Sequence, residues 1–548
     1  MLDRKMLNIR PLCSESELQM CGTKRMMLVF SLAAATACVC GAECTTDWKS
    51  NLPRPIFEEH PQLADLYEKA WELAHDHIRV LPGLPSPRYM DEALWDDRVW
   101  IWDTCFMVQF CKYLPLEFPG VESLENFYDV MLADKAAPLP RVKCDFASTG
   151  QHGEMLDFYI HHPDNPPIFA WTEYKYALQT GDRMRLERIY AKNRWLQRWY
   201  DLFESFDPDA PQPHGSICKV ALKRVEHGYH WKGCPNGMDN TPRGRTQDCP
   251  DADVRECPNN PDLLWVDAIA QQGLSALYLA KIADLIGRSD EAKAWQERYE
   301  ALKAEVNALY WDEKDGAYYD ILSQDFSKVR VLTPASFWPA LAGMPTPGRM
   351  SRMSAHLRNP DTLGGEMPTP SVARNDKAFD PKGGYWRGGV WMPTTYMTVK
   401  ALDAYGDYAL AREVSRKVIE RMYRTFANFE PHTIWECYSP NEDKPSTDKI
   451  GGWSRPDFCG WSALGPISLF LEDVIGIKEA NAFRNTLTCD FEKNPKGRVG
   501  AGNYRFGRVV CSVVADAKTI RVTANRPFIL IADGARHEVK VGDNLFGR

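Results

Sequence analysis

Residues Tyr176–Phe203 read YALQTGDRMRLERIYAKNRWLQRWYDLF. Apolar residues recur at three and four, the period of a helix with one buried face. Gly181 supplies the left-handed residue that ends one helix, and Asp182 caps the next. The pattern returns as IADLIGRSDEAKAWQERYEALKAEVNALYW around Gly287 and Asp290, and as ALDAYGDYALAREVSRKVIERMYRTF around Gly406 and Asp407. Trp195, Trp199 and Phe203 make one stripe, expected in the core. Helical hairpins recurring roughly 110 residues apart, with further helices between, predict a mainly α fold.

Long stretches rich in Pro, Gly and Trp interrupt the helices at 134–168, 207–262, 360–390 and 431–462. Such loops inside a compact domain are usually functional. Paired helices with long loops at one end predict a helical toroid, the (α/α)6 barrel; a superhelical solenoid is the alternative. After about residue 485 the chain changes character. RVVCSVVADAKTIRVTANRPFILIADGARHEVKV is β-branched and alternating, with a turn at Asp533-Gly534, and predicts short strands. The expected organisation is a targeting segment over 1–44, a catalytic domain over 45–484 and a small β appendage over 485–548, packed on the helices because so few strands are unstable alone.

The chain has 548 residues, 44% apolar and 26% charged, with a formal net charge of −8. These values describe a globular chain and argue against a protein that wraps nucleic acid. No apolar run past residue 50 reaches the length of a membrane span, and a monomer is expected. Lys24 and Arg25 precede the apolar run Met26–Val39 and small residues through Ala42. That is the layout of a secretory signal, with Met26 or Met27 as the start. An exported protein, periplasmic or secreted, is therefore expected; Ala35-Thr36-Ala37-Cys38 is a poor match to a lipid-attachment box, which leaves a lipid-anchored form as the minor alternative. Among 16 cysteines, Cys234, Cys249 and Cys257 are near enough in sequence to suggest a loop disulfide. Zinc held by these with His230 is the weaker alternative, since the spacing fits no tight zinc knuckle. No metal or other cofactor is expected.

The 18 Trp, 22 Tyr and 23 Phe serve core packing or a carbohydrate cleft, and composition does not separate the two. Position says more. Tryptophans stand beside acids in loops from distant parts of the chain: Trp100, Trp102 and Asp103 in DDRVWIWDTCFMVQF; Asp239 and Arg243 in HWKGCPNGMDNTPRGRT; Trp386, Arg387 and Trp391 in GGYWRGGVWMP; Trp435, Glu436 and Tyr438 in HTIWECYSP; Trp461 in DFCGWSALGP. A glycosidase needs one carboxylic acid to protonate the leaving oxygen and one carboxylate to activate water or attack carbon. Apolar neighbours raise the acid's pKa, and an arginine holds hydroxyls or steadies a carboxylate. Each residue also has a plainer explanation. Asp239 could only form a turn, Glu436 could be a solvated loop carboxylate, Arg387 a structural ion pair and Asp103 a helix cap.

At these residues the chain resembles glycoside hydrolase family 63, the processing α-glucosidases and their bacterial relatives. GMDNTPR at 237–243 is similar to that family's general-acid segment and YWRGGVWMP at 385–393 to its Trp-Arg-Gly segment. WECYSP at 435–440, followed by FCGWSAL at 458–464, is similar to its general-base segment and the element after it. NPPIFAW at 165–171 resembles its Gln-Pro-Pro helix start, with Asn165 in place of Gln. Trehalases and mannosylglycerate hydrolases share the layout. The resemblance spans roughly residues 55–475. It implies the (α/α)6 barrel and inversion at the anomeric carbon, with Asp239 the general acid and Glu436 the general base. Asp103, Trp386 and Arg387 would line the sugar subsite; Trp102, Arg243 and Trp461 would shape its walls. Asn240 stands where eukaryotic members often have a second Asp, and the loop 442–461 lacks their Thr-Gly-Glu-Gly run. The large N-terminal β-domain of many members has no room before the first helix. Inversion needs carboxyl groups roughly 6.5–9.5 Å apart. Glu366, in GGEMPTPS, is the rival base but lacks the E-x-Y-x-P context of Glu436. The reading is an inverting α-glucosidase acting on an oligosaccharide or small glucoside. The alternatives are a trehalase-like or mannosyl/glucosylglycerate-type hydrolase, and a carbohydrate-binding protein without catalysis.

Overall fold

The computed structural model describes residues 48–80, 85–92, 100–131, 143–144, 153–154, 166, 168–205, 222–231, 236–244 and 260–548. The signal segment, Asn165, and Cys234, Cys249 and Cys257 lie outside the described residues. Among the described residues no helix is long and apolar enough to cross a membrane.

The helices fall into two kinds. Ile101–Cys111 and Gly465–Val474, the latter wound as a π-helix, are buried along their whole length. Val266–Leu285, Met392–Ala404, Phe169–Thr180 and the short Trp338–Leu341 are buried over most or all of theirs. A helix apolar on all sides belongs inside a larger assembly. These six touch in chain order: 101–111 packs on 169–180, then 266–285, 338–341, 392–404 and 465–474, which returns to 101–111. The second kind is two-faced. Ser289–Leu309 buries Trp295, Tyr299, Leu302 and Val306, spaced at four, three and four, against 266–285. Tyr408–Asn428 packs on 392–404 and 465–474 in the same manner, and Leu63–Asp76 on 408–428 and 465–474. Trp195, Trp199 and Phe203 are core residues.

Gly181 and Gly406 carry φ of 76° and 74°. The Asp182 carboxylate accepts from the Arg185 N–H, and that of Asp407 from the Leu410 N–H. Both are the helix stops and caps expected from the sequence. The middle hairpin differs. Its helix begins at Ser289 after Arg288, and Asp290 sits inside the first turn, where its charge faces the positive end of the helix dipole rather than capping a donor.

The C-terminal strands begin at Ile477, ahead of residue 485. One sheet orders Ile477–Asn481, Thr486–Cys489, Phe528–Ala532 and Ala535–Val539. The other orders Arg54–Phe57, Val499–Phe506, Val509–Ala515, Thr519–Ala524 and Gly542–Gly547, so a strand ahead of the first helix closes one edge, with Phe57 opposite Val499. Val509–Ala515 alternates strictly between buried and part-buried, and Phe506 meets Phe528 edge-on at 5.4 Å between the sheets.

The C-terminal ends of the buried helices carry a buried ionic network. Lys400 Nζ bonds Asp403, Glu472 and Asp473 at 2.7, 2.8 and 2.7 Å. Lys112, Tyr113 and Tyr396 also donate to Glu472. Burial opposes ionisation of Glu472, but the two lysines outweigh it and hold the carboxyl well below its ordinary range. Removing one partner leaves uncompensated buried charge. Lys400→Met should therefore lower unfolding stability by about 3–5 kcal/mol in urea titrations; a loss under about 1 kcal/mol would mean that the network contributes little.

Candidate active site

The opposite, N-terminal ends of the same helices are ringed with tryptophan. Trp100, Trp265 and Trp391 immediately precede the helices at 101, 266 and 392, and Trp461 precedes the turn leading to 465. Trp386 stacks on Trp391 at 4.0 Å and 3°. Trp102 lies 6.1 Å from Trp386 and 5.8 Å from Trp461, and Trp391 lies 5.6 Å from Trp461. Exposures of 3, 1 and 7% for Trp102, Trp386 and Trp461 make them a packed collar rather than open stacking faces.

The segment Asn236–Gly244 is seated on this collar. A Cβ on Gly237 would lie 2.4 Å from the Trp102 ring, and its φ is +80°, so only glycine lets the chain pass so close. Asn240 laces this segment to the Tyr385–Gly389 loop. Its amide donates to the Gly384 carbonyl at 3.0 Å and accepts from the Trp386 N–H at 2.8 Å, while Arg387 donates to the Asn240 carbonyl at 3.3 Å. An aspartate could not donate to Gly384, which accounts for asparagine here. Asp239, between Met238 and Asn240, keeps its side chain 30% exposed and accepts from Lys449 Nζ at 2.5 Å.

Glu436 is the buried counterpart, 3% exposed. Its Oε1 accepts from the Tyr385 hydroxyl at 2.9 Å, and Oε2 has a long contact, 3.4 Å, with the Arg455 N–H. Its carbonyl accepts from the Trp461 indole N–H and from Ser462 Oγ at 3.2 and 3.1 Å. The Gly-Trp-Ser element thus grips the backbone of the Trp-Glu-Cys element. Burial raises the Glu436 carboxyl above its ordinary pKa and the Tyr385 bond partly offsets this; Asp239 adds to the rise. Asp103, 4% exposed in the first turn of its helix, is pushed well up by burial, with the charges of Glu436 and Asp239 adding. The three carboxyl groups therefore share one electrostatic neighbourhood, although they come from far-apart stretches of chain.

One of the sequence expectations is corrected by packing. Arg243 does not face a sugar. It is 1% exposed, and its guanidinium is spent on Asp267 and Asp320 at 2.6–2.9 Å and on the Met238 sulfur, beneath the Asp239 segment. A buried arginine persists only when so paired. Glu366 has an 88% exposed side chain bonded to Arg421 on the surface, without the enclosure a base needs. Arg387 is half-buried at the mouth, next to Asn240. His230 bonds the Leu263 carbonyl at 2.9 Å.

Sequence reasoning missed Tyr385 and Lys449. Lys449 Nζ bonds Asp239 and lies 4.5 Å over the Tyr385 ring, whose hydroxyl holds Glu436. One lysine and one tyrosine thus connect the two acids. Tyr385 adopts φ +65°, a conformation costly outside glycine and common at functional sites; neither the strain nor the lysine's reach leaves a mark in a loop sequence. Asn240→Asp should oppose a carboxylate oxygen to the Gly384 carbonyl and destabilise the fold by about 1–3 kcal/mol in urea titrations; unchanged stability would show that the lacing is not needed.

A family model described as "Mannosylglycerate hydrolase MGH1-like glycoside hydrolase domain" matches residues 160–458. An uncharacterized protein of Borreliella burgdorferi is 26% identical, over 77% of this chain and 81% of its own length. A probable mannosyl-oligosaccharide glucosidase of Schizosaccharomyces pombe is 24% identical over 70% of this chain; the chain spans 49% of that relative. The solved family 63 mannosylglycerate hydrolase of Thermus thermophilus, in complex with glucose, aligns with TM-score 0.52 and 20% identity over 74% of this chain and 99% of its own. Since the family model covers more than half of the sequence, and includes Asp239, Asn240, Tyr385, Trp386 and Glu436, the chain belongs to the mannosylglycerate hydrolase MGH1-like family of glycoside hydrolases, within family 63.

Proposed function

We propose that the chain is an inverting glycoside hydrolase cleaving α-glucosidic bonds in oligosaccharides or small glucosides. Asp239 is the general acid, Glu436 the general base, and the ring of buried helices is an (α/α)6 barrel with the site at its tryptophan-rich mouth. The observation that carries the reading is the meeting of these two carboxylates, one part-exposed and one buried, around a single Lys449–Tyr385 connection. The part-exposed acid stands where a leaving oxygen can reach it. The buried carboxyl, raised by its surroundings, is a stronger base than a solvated one. Asp103 and Arg387 line the sugar subsite, and the packed Trp102, Trp386 and Trp461 form its floor. Arg243 acts beneath the acid segment, through Asp267 and Asp320. An exported location remains the reading of residues 24–42.

A second reading has one observation in its favour. The Lys449 ammonium bonds Asp239, the residue proposed to protonate the leaving oxygen, and a cation there suits an aglycone bearing a carboxylate, as in a mannosyl- or glucosylglycerate-type substrate. Measuring kcat/KM for a glucosylglycerate and a neutral glucosyl disaccharide, with Lys449→Met beside the parent, separates the two. Loss confined to the glycerate substrate favours the second reading; equal effects on both favour the first.

The main test is a panel of α-linked gluco-, galacto- and manno-disaccharides with products followed by NMR. Release of the β-anomer from an α-glucoside is expected; an α-anomer would mean retention and contradict the mechanism. Asp239→Asn should lower disaccharide hydrolysis by about 10²-fold or more while calorimetry still detects glucose binding. An unchanged rate would remove Asp239 from the mechanism. Absence of hydrolysis in the parent protein, with sugar binding retained, would indicate a carbohydrate-binding protein instead.

A further inference from the structure

Tyr385 sits in a backbone conformation that a side chain other than glycine pays to adopt, φ +65°. Several contacts hold it there. Its N–H donates to the Thr447 carbonyl at 2.8 Å, and its carbonyl accepts from the Trp391 indole at 3.1 Å and the Gly389 N–H at 3.1 Å. Its ring stands edge-on to Trp391 at 4.6 Å and beneath the Lys449 ammonium at 4.5 Å. The flanking loop permits this only with glycine, since a Cβ on Gly389 would lie 2.5 Å from the Tyr385 carbonyl oxygen. So much enclosure around one strained residue calls for a reason, and the hydroxyl supplies it: Tyr385 donates to Glu436 Oε1 at 2.9 Å.

We propose that Tyr385 is the positioning residue of the base, fixing Oε1 of Glu436 so that Oε2 alone is turned to the attacking water. This rests on Glu436 being the base. The two oxygens differ in the way the proposal needs. Oε1 has a full-strength hydrogen bond from a charge-stabilising donor, while the contact of Oε2 with the Arg455 N–H at 3.4 Å is long. Tyr385 can serve throughout the cycle, because burial and the neighbouring Glu436 and Asp239 hold its phenol well above its ordinary pKa, so it stays a donor. The charged groups acting on Glu436 come from three directions. Asp239 raises it from the acid segment, while Arg455 and the Tyr385 bond lower it from the two flanking loops; Asp103, on the helix behind, is itself raised by Glu436. Among these the tyrosine hydroxyl is the side-chain donor that favours the ionised, base-competent form.

The test is Tyr385→Phe, which removes one oxygen and keeps the ring contacts with Trp391 and Lys449. It is assayed on the α-linked glucosyl disaccharide cleaved fastest in the panel above. Without the donor the Glu436 carboxylate is harder to form, so the acidic limb of the kcat/KM profile should move up by about one pH unit. kcat should fall about tenfold or more, while KM stays within about threefold, because the lost interaction touches the base and not the sugar. Site-specific 3-fluorotyrosine at 385, a more acidic phenol and stronger donor with the fold preserved, should move the same limb down. An unmoved limb in both variants, or a rise in KM with kcat unchanged, would overturn the proposal and make Tyr385 structural or a substrate contact. Glu436→Gln, run in parallel, keeps the two ideas apart. Retained activity there defeats the base assignment itself; lost activity there with a normal Tyr385→Phe defeats the tyrosine's role alone.

Discussion

The site depends on burying one carboxylate without isolating it. Glu436 has almost no exposed surface, and an unpaired carboxylate there would simply take up a proton or unfold its surroundings. Most of its polar atoms are therefore answered: Oε1 by Tyr385, the backbone N–H by the Arg455 carbonyl, and the backbone carbonyl by Trp461 and Ser462, while Oε2 has only the long contact with the Arg455 N–H. Much of the surrounding sequence follows from this. The glycines of the Tyr385 loop permit the strained tyrosine, and the Gly-Trp-Ser element is fixed in place because it holds a carbonyl. The tryptophans at the helix starts supply the apolar enclosure that makes the burial possible.

The same economy explains the acid segment. Arg243, Asp267 and Asp320 form a buried ionic base under a loop whose exposed product is the Asp239 carboxylate. Asn240 joins that loop to the one carrying Tyr385. Displacement of either loop would thus be felt at both acids, and positional tolerance in such chemistry is small. At the far ends of the buried helices, lysines and acids neutralise one another around a cavity of about 310 Å³ lined by Lys112, Lys400, Asp403, Glu472 and Lys478.

Much of this was legible in the sequence because it rests on local chemistry. A glycine followed by aspartate stops one helix and starts another wherever it occurs, and Gly181-Asp182 and Gly406-Asp407 behave so. Apolar periodicity separated the two-faced helices from the rest. The acids stood out because tryptophan, glycine and proline surround them. What was hidden is set by distant partners. Arg243 looks the same in sequence whether it meets a sugar or Asp267 and Asp320. Asp290 was a plausible cap, but the helix begins at Ser289, which puts Arg288 in the capping position. The strand at Arg54–Phe57 is four residues long, and only its pairing with Val499–Gly502 defines it. Tyr385 and Lys449 sit in loops where their types carry no signal, and their meaning comes from what they touch.

The central claim is geometric: two carboxylates flank a sugar with one water between the base and the anomeric carbon. A crystal structure of the Asp239→Asn protein with an intact α-glucosyl disaccharide measures this directly. The account predicts that residues 239 and 436 lie on opposite sides of the scissile bond, roughly 6.5–9.5 Å apart, with an ordered water on Glu436 Oε2 in line with the anomeric carbon. A separation near 5 Å with Glu436 itself against that carbon, or a sugar bound away from both residues, would contradict it.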